Sequence, residues 1–262
     1  MSEKIIQAIV LDSFDYQDFD KIVTVYSNLY GKLSFVSLGV NKSVSKNKYS
    51  INYLSLSEFE IFKSRNKFNL SKLKKGVLID SHLNITKDYN LYLYANIITS
   101  LVNTLDNNVK NFKLFNMLKT SIDIINKNPS QAFKTTVLFM FYFLNFIGHK
   151  LDLSNCGFCN LKDDIVAINF NNYCMVCRYC YYNDSIFINN NLASYLRFIS
   201  NNNFNQAIER KVEENYLMIL AKFLLNYYKD QVGIFTNSMY ELSKYKEFDD
   251  SVFINQILDS QF

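Results

Sequence analysis

Cys156-Gly157-Phe158-Cys159 is followed by Cys174-Met175-Val176-Cys177-Arg178-Tyr179-Cys180, and these two stretches hold all five cysteines of the 262-residue chain. Two cysteines three apart on a tight turn aim two thiolates at one point. Two such knuckles face to face complete a tetrahedral sulfur cage, which is the spacing logic of a structural zinc site. Cys174, Cys177 and Cys180 make two overlapping C-x2-C pairs, and only one pair can close the cage. The preferred set is Cys156, Cys159, Cys177 and Cys180, with Cys174 left over as a nearby alternative. A disulfide framework, a redox C-x2-C and plain buried thiols are the competing readings. An odd cysteine count and no export signal at the start of the chain point instead to a cytoplasmic protein whose thiols stay reduced and open to metal. Four sulfur ligands leave no open position, so such a zinc holds a fold together and does not activate water. His149, beside Gly148 at the end of an apolar segment, reads as a cap more readily than as a ligand.

Outward from that centre, 49% apolar residues are ample for a core, and the length allows one large or two to three small domains. A single Pro, no Trp and abundant Asn, Lys, Ile, Tyr and Phe read as a base-composition bias of the gene, so Asn is discounted as a turn signal. The longest apolar run, 137–147 with Asn145 inside it, is too short to span a bilayer and reads as a buried core helix. No membrane partner is expected.

Charge is segregated along the chain. Residues 1–31 carry two basic and five acidic side chains. Residues 32–75 carry ten basic ones (Lys32, Lys42, Lys46, Lys48, Lys63, Arg65, Lys67, Lys72, Lys74 and Lys75) against Glu58 and Glu60, a balance of +8. The remainder, with sixteen basic and seventeen acidic residues, is close to neutral. A basic block inside a folded region is the footprint of a polyanion partner, because each Lys or Arg placed at a phosphate releases counterions. A merely solvated face is the bland alternative.

Short β-like segments fill the first third: 5–11, 22–26, 32–38, 54–62 with nine-residue alternation, and 68–73, with a hairpin turn at 64–67 and an acidic loop at 14–20. Five strands in this length suit a small closed barrel, and the five-stranded candidate that binds oligonucleotides is the OB-fold. The basic block falls on its third strand, the following loop and the last hairpin, among Phe35, Tyr49, Tyr53 and Phe68. Lysines that track a backbone and aromatics that stack on bases are what sequence-tolerant single-strand binding needs. Most of these aromatics read as core, with Tyr49 or Tyr53 left as stacking candidates.

After Gly76 the period becomes helical. Asp88 is placed to cap a helix with Leu91, Tyr94, Ala95, Ile98, Leu101, Val102 and Leu105 on one face; 112–125 repeats the pattern, Pro129 starts the next element, and 132–147 is apolar nearly all round. Short strands are predicted at 165–170 and 185–188, and helices at 192–198 and 205–228. The fold class is therefore α+β: an N-terminal five-stranded OB-fold barrel, residues 1–78, and an α-helical domain, 79–262, with an inserted four-cysteine zinc finger at 154–184.

These residues resemble the RecO family of bacterial recombination mediators over essentially the whole chain. The matching pieces are Ala8-Ile9-Val10-Leu11, Asp20-Lys21-Ile22-Val23-Thr24, Tyr30-Gly31-Lys32-Leu33-Ser34, Gly39-Val40-Asn41-Lys42, Ser45-Lys46, and Leu144-Asn145-Phe146-Ile147-Gly148-His149-Lys150-Leu151-Asp152 leading into Cys156 and Cys159. In the family the second knuckle follows a Phe-Ser-Phe-like strand and a small-residue pair, here Ile168-Asn169-Phe170 and Tyr173-Cys174. That register implies Cys177 and Cys180 as ligands and Cys174 in place of a glycine. The resemblance further implies a non-enzymatic function in DNA repair and recombination: binding single- and double-stranded DNA, annealing complementary strands, and joining RecR to help RecA replace single-strand-binding protein. It implies a cytoplasmic, nucleoid-associated location.

Two rival classes remain in view. A general zinc-ribbon adaptor in transcription or RNA processing would keep the basic barrel and the metal but lack strand annealing. An enzyme is disfavoured by two histidines, six glycines without a phosphate-cradling loop, and no carboxylate–histidine cluster of the sort hydrolytic metals need. Asp15, Asp18 and Asp20 could be imagined as a nuclease site, but an acidic loop between strands is usually solvated.

Overall fold

In the computed structural model, which describes residues 2–64, 70–107, 109–182 and 184–245, the alternating segments become five strands: β1 (Ser2–Tyr16), β2 (Asp20–Ser27), β3 (Gly31–Ser37), β4 (Leu56–Lys63) and β5 (Ser71–Asp80). They close into a barrel in the order β1-β2-β3-β5-β4, with β3 and β5 parallel and the other pairs antiparallel. This is the Greek-key order of an OB-like barrel. Closure depends on β1, whose first half pairs with β4 and whose second half pairs with β2, with an irregularity between Val10 and Asp12 where the strand turns from one partner to the other. Inward positions recur at every second residue: Ile6, Ala8 and Val10, then Val23 and Val25, Leu33 and Phe35, Phe59 and Ile61. Phe35 and Phe59 meet at 5.1 Å. Each of the buried Ile, Val, Leu and Phe side chains contributes about 1.5–3 kcal/mol over leaving it in water.

Two boundaries differ from the predicted ones. β1 continues through Phe14 and Asp15 to Tyr16, where a loop was expected, because Asp15 pairs across the ladder with Lys21 at 3.1 Å. β5 runs on from Leu73 to Asp80, sustained by pairing with β4 as far as Leu56. The turn expected at 64–67 and the strand start at Phe68 fall almost wholly, and Arg65 and Lys67 entirely, outside the described residues.

The chain divides into two compact units, one ending at Ala132 and the other starting at Phe133. In the first, two helices follow the barrel: α1 (Tyr89–Asn103), capped by the Asp88 carboxylate accepting from Leu91 N–H, and α2 (Phe112–Lys127), capped in the same way by Asn111. Gly31 opens β3 where the chain passes the segment between these helices; a Cβ there would lie 2.0 Å from the Val109 carbonyl oxygen, and its φ of 64° suits glycine.

The second unit is built on α3 (Ala132–Phe143), whose residues 137–143 are buried on every side as its all-round apolarity predicts. A three-stranded antiparallel sheet, order β7-β6-β8, follows: β6 (Ile165–Asn169), β7 (Cys174–Cys177) and β8 (Ser185–Phe187). Next come α4 (Asn190–Asn201), α5 (Phe204–Glu209), α6 (Glu214–Tyr227) and α7 (Asn237–Ser243). The helix predicted over 205–228 is thus two. Lys134 from α3 donates to the carbonyls of Ile208 and Arg210, and Arg210 lies 4.3 Å over the Phe198 ring, so the chain is held extended after α5.

Candidate metal centre and nucleic-acid interface

The first knuckle is a turn closed by its own backbone. Cys156 N–H donates to the Leu161 carbonyl at 2.8 Å, and Asn160 N–H donates back to the Cys156 carbonyl at 2.9 Å, with Asn160 left-handed at φ 63°. Gly157 N–H then donates to the Met175 carbonyl at 2.9 Å, which stitches this turn to β7. β7 delivers Cys177 directly into a 3₁₀ turn over Arg178–Cys180, whose first N–H is held by the Asp164 carbonyl at 2.9 Å. The outcome is convergence: the sulfurs of Cys156, Cys159, Cys177 and Cys180 all lie within 4.8 Å of one another, and those of Cys159 and Cys177 are 3.6 Å apart.

None of the five cysteines is in a disulfide. Cys174 sits outside the quartet, against Gly157: a Cβ on that glycine would lie 2.4 Å from the Cys174 Cβ and 2.7 Å from its sulfur. His149 is also elsewhere, edge-on to Tyr227 at 6.5 Å.

The electrostatics of the quartet fit a cation. Burial works against ionising Cys156, but backbone N–H groups of Cys177, Cys159 and Phe158 bring its pKa down to about 6. Cys180 is pushed up to about 12, first by sharing a hydrogen bond with Cys159 and then by burial. One sulfur is thus ready to be a thiolate while its neighbour resists becoming a second negative charge in the same place, a conflict that a divalent ion resolves. The four cysteines can hold a metal ion.

The cluster is fastened to the helices around it. Tyr173, at φ 51°, packs edge-on against Phe223 and Tyr227 of α6, and its hydroxyl donates to Asp230 at 2.6 Å. Arg197 of α4 donates to the Ser154 carbonyl at 3.3 Å and to that of Lys162.

The lysines expected at a polyanion divide into two groups. Lys32 donates to the Asn103 carbonyl at the end of α1 at 2.7 Å, and its burial lowers its pKa. Lys74 is paired with Glu3 and, at 2.8 Å, with Glu60. Lys42, Lys46, Lys48, Lys72 and Lys75 are exposed, and Lys63 lies 4.9 Å over the Tyr30 ring. Asn47 connects their two segments: its side-chain oxygen accepts from Gly76 N–H at 2.9 Å, which pins the loop carrying Lys46 and Lys48 to β5 beside Lys75. Of the stacking candidates, Tyr49 is 68% exposed, whereas Tyr53 bonds Thr99 of α1 at 2.6 Å and packs on Tyr92, so it is a structural residue. The acidic loop makes no metal cluster among the described residues: Asp15 accepts from Asn41 and pairs with Lys21, and Asp20 accepts from Gly39 N–H at 2.7 Å.

An OB-like barrel flanked by exposed lysines, in one chain with a helical unit carrying a four-cysteine cluster, defines a class of two-unit proteins. The family model described as Recombination protein O N terminal matches residues 1–82, and Recombination protein O C terminal matches residues 86–239. The chain is 58% identical to the DNA repair protein RecO of Mycoplasma mycoides subsp. mycoides over 92% of its own length and 97% of that protein's. It is 54% identical to the protein of that name from Mycoplasma capricolum, over 94% and 99%, and 24% identical to that of Clostridium perfringens, over 82% and 87%. The chain belongs to the RecO family. No helix among the described residues is long and apolar enough to cross a membrane.

Proposed function

We propose that this chain is a non-enzymatic recombination mediator in DNA repair, which binds single- and double-stranded DNA, anneals complementary strands and, with RecR, helps RecA replace single-strand-binding protein. The observation that carries the reading is the loop of Lys42, Lys46 and Lys48 pinned to β5 through Asn47, which gathers exposed lysines from two sequence segments onto one barrel. Family membership supports the same role. The functional division follows the barrel, 1–78, and the remainder, 79–262, with the cysteine segment at 154–184.

Lys42, Lys46, Lys48, Lys63, Lys72 and Lys75 form the track, with Arg65 and Lys67 as further members in sequence. Lys32 and Lys74 are left out because their ammonium groups are engaged locally. Each lysine at a phosphate supplies affinity without reading sequence, as a protein acting on any single strand requires. Holding two strands at one positive surface screens their repulsion, and base pairing supplies the driving force, so annealing needs no nucleotide. Zinc, held by Cys156, Cys159, Cys177 and Cys180, would cross-link the two knuckles and take no part in bond chemistry. The location is cytoplasmic, at the nucleoid.

Fluorescence annealing of complementary oligonucleotides tests the reading. The purified chain should accelerate annealing without ATP at low salt, lose the effect toward high salt, and retain it on strands coated by cognate single-strand-binding protein. DNA binding with no acceleration under any of these conditions would favour the general nucleic-acid adaptor instead.

A further inference from the structure

Where the barrel ends, the chain places a histidine in full burial. His82 follows β5, has no solvent exposure, and takes a left-handed φ of 48°. Its ring is committed on one side: Nδ1 lies 2.8 Å from the Leu54 carbonyl oxygen, which can only accept, so Nδ1 carries a proton. Its Nε2 is aimed at carboxylates, 2.9 Å from Asp123 Oδ1 of α2 and 3.9 Å from Asp80 Oδ2 at the end of β5. Asp80 is oriented as well, since its other oxygen accepts His82 N–H at 2.9 Å. A neutral ring in this tautomer would turn a lone pair toward carboxylate oxygens, so the arrangement calls for a positive centre between them.

We propose that Asp80, His82 and Asp123 form a second metal site, for a borderline divalent cation of the zinc, cobalt and nickel kind. The three ligand atoms lie within 4.8 Å of one another. With bonds of about 2.0–2.2 Å, adjacent ligands of such an ion stand about 3–4 Å apart, which is the spacing already present. A histidine whose far nitrogen is donated to a backbone carbonyl is the usual orienting arrangement for a metal ligand, and a mixed imidazole and carboxylate set suits this class of ion. The ion would tie the end of the barrel to α2 within the first compact unit, at the junction between the two family-matched segments. Nothing in the proposed DNA-binding function requires it, so the two stand or fall separately.

The test uses the full chain with one Zn²⁺ bound per molecule at the cysteines, titrated with Co²⁺. We expect one further Co²⁺ per chain, visible as d–d absorption without a sulfur-to-cobalt charge-transfer band, and a rise in Tm. Asp80→Asn and Asp123→Asn should each weaken Co²⁺ binding at least tenfold while zinc content and the circular dichroism spectrum stay unchanged. Asp123→Asn keeps a hydrogen-bonding side chain beside His82, so it separates loss of the site from loss of folding. Failure to take up the second Co²⁺, or uptake unaffected by either variant, overturns the proposal. So does nitrogen NMR showing both His82 ring nitrogens protonated at saturating Zn²⁺, since the positive centre is then a proton in an ion pair.

Discussion

Cys174 lies against the first knuckle without joining the quartet, and the side chain it meets is only a hydrogen. That makes Gly157 the position where the knuckle tolerates least. In Gly157→Ala the new methyl would start 2.4 Å from the Cys174 Cβ, and overpacking of this kind costs about 1–3 kcal/mol. Thermal denaturation should show the loss in Gly157→Ala and its recovery when Cys174→Gly is added; a single variant as stable as wild type means that the turn yields freely. Metal content separates the cysteines themselves. Cys177→Ser should lose zinc and Cys174→Ser should keep it, and the reverse pattern would shift the ligand register by three residues. The spacing in the sequence left both C-x2-C pairs open, because it encodes local turns; what separates the pairs is the pairing of Cys156 and Gly157 with Met175.

Elements carry the basic surface. Lys32 and Lys46 are both lysines of the same charged block, yet one satisfies a carbonyl at the end of α1 and the other is exposed on a pinned loop. Lys32→Met should therefore cost about 1 kcal/mol in denaturant unfolding, the value of a hydrogen bond from a charged group at a helix C-terminus, and leave DNA affinity unchanged. A drop in DNA affinity at unchanged stability would return Lys32 to the binding track. Five strands, the Asp88 cap and the buried α3 were legible because alternation, capping and all-round apolarity are local signals. The continuation of β1 to Tyr16 was hidden by the polar, acidic character of 14–20, which forms a short hairpin with β2. The break between α5 and α6 and the loss of Tyr53 to Thr99 were not legible because each is decided by a partner distant in sequence. The Asp80–His82–Asp123 cluster escaped for the same reason: His82 and Asp123 are 41 residues apart and meet only once α2 is in place.

For the whole molecule, the proposed metal and the proposed lysine track would set the conditions under which it works. Zinc at the quartet, as proposed, would have to displace a proton from Cys180, which is pushed up to about 12, whereas Cys156, brought down to about 6, ionises first. Affinity should accordingly rise with pH and fall on acidification, as competition between metal and protons requires. A zinc-binding isotherm that does not change from acid to neutral pH would contradict this. Chelation should loosen the segment that Tyr173 and Arg197 fasten to α6 and α4, seen as faster amide exchange in β6 and β7 with the barrel unaffected. The most direct measurement is the salt dependence of single-strand binding by the wild type and by the Lys42→Glu, Lys46→Glu, Lys48→Glu triple variant. The variant should bind more weakly to every sequence, and its log–log slope should flatten by about 0.7 for each phosphate that is no longer neutralised. Equal affinity with an unchanged slope would show that the pinned loop is only solvated, and that DNA, if bound, lies elsewhere on the chain.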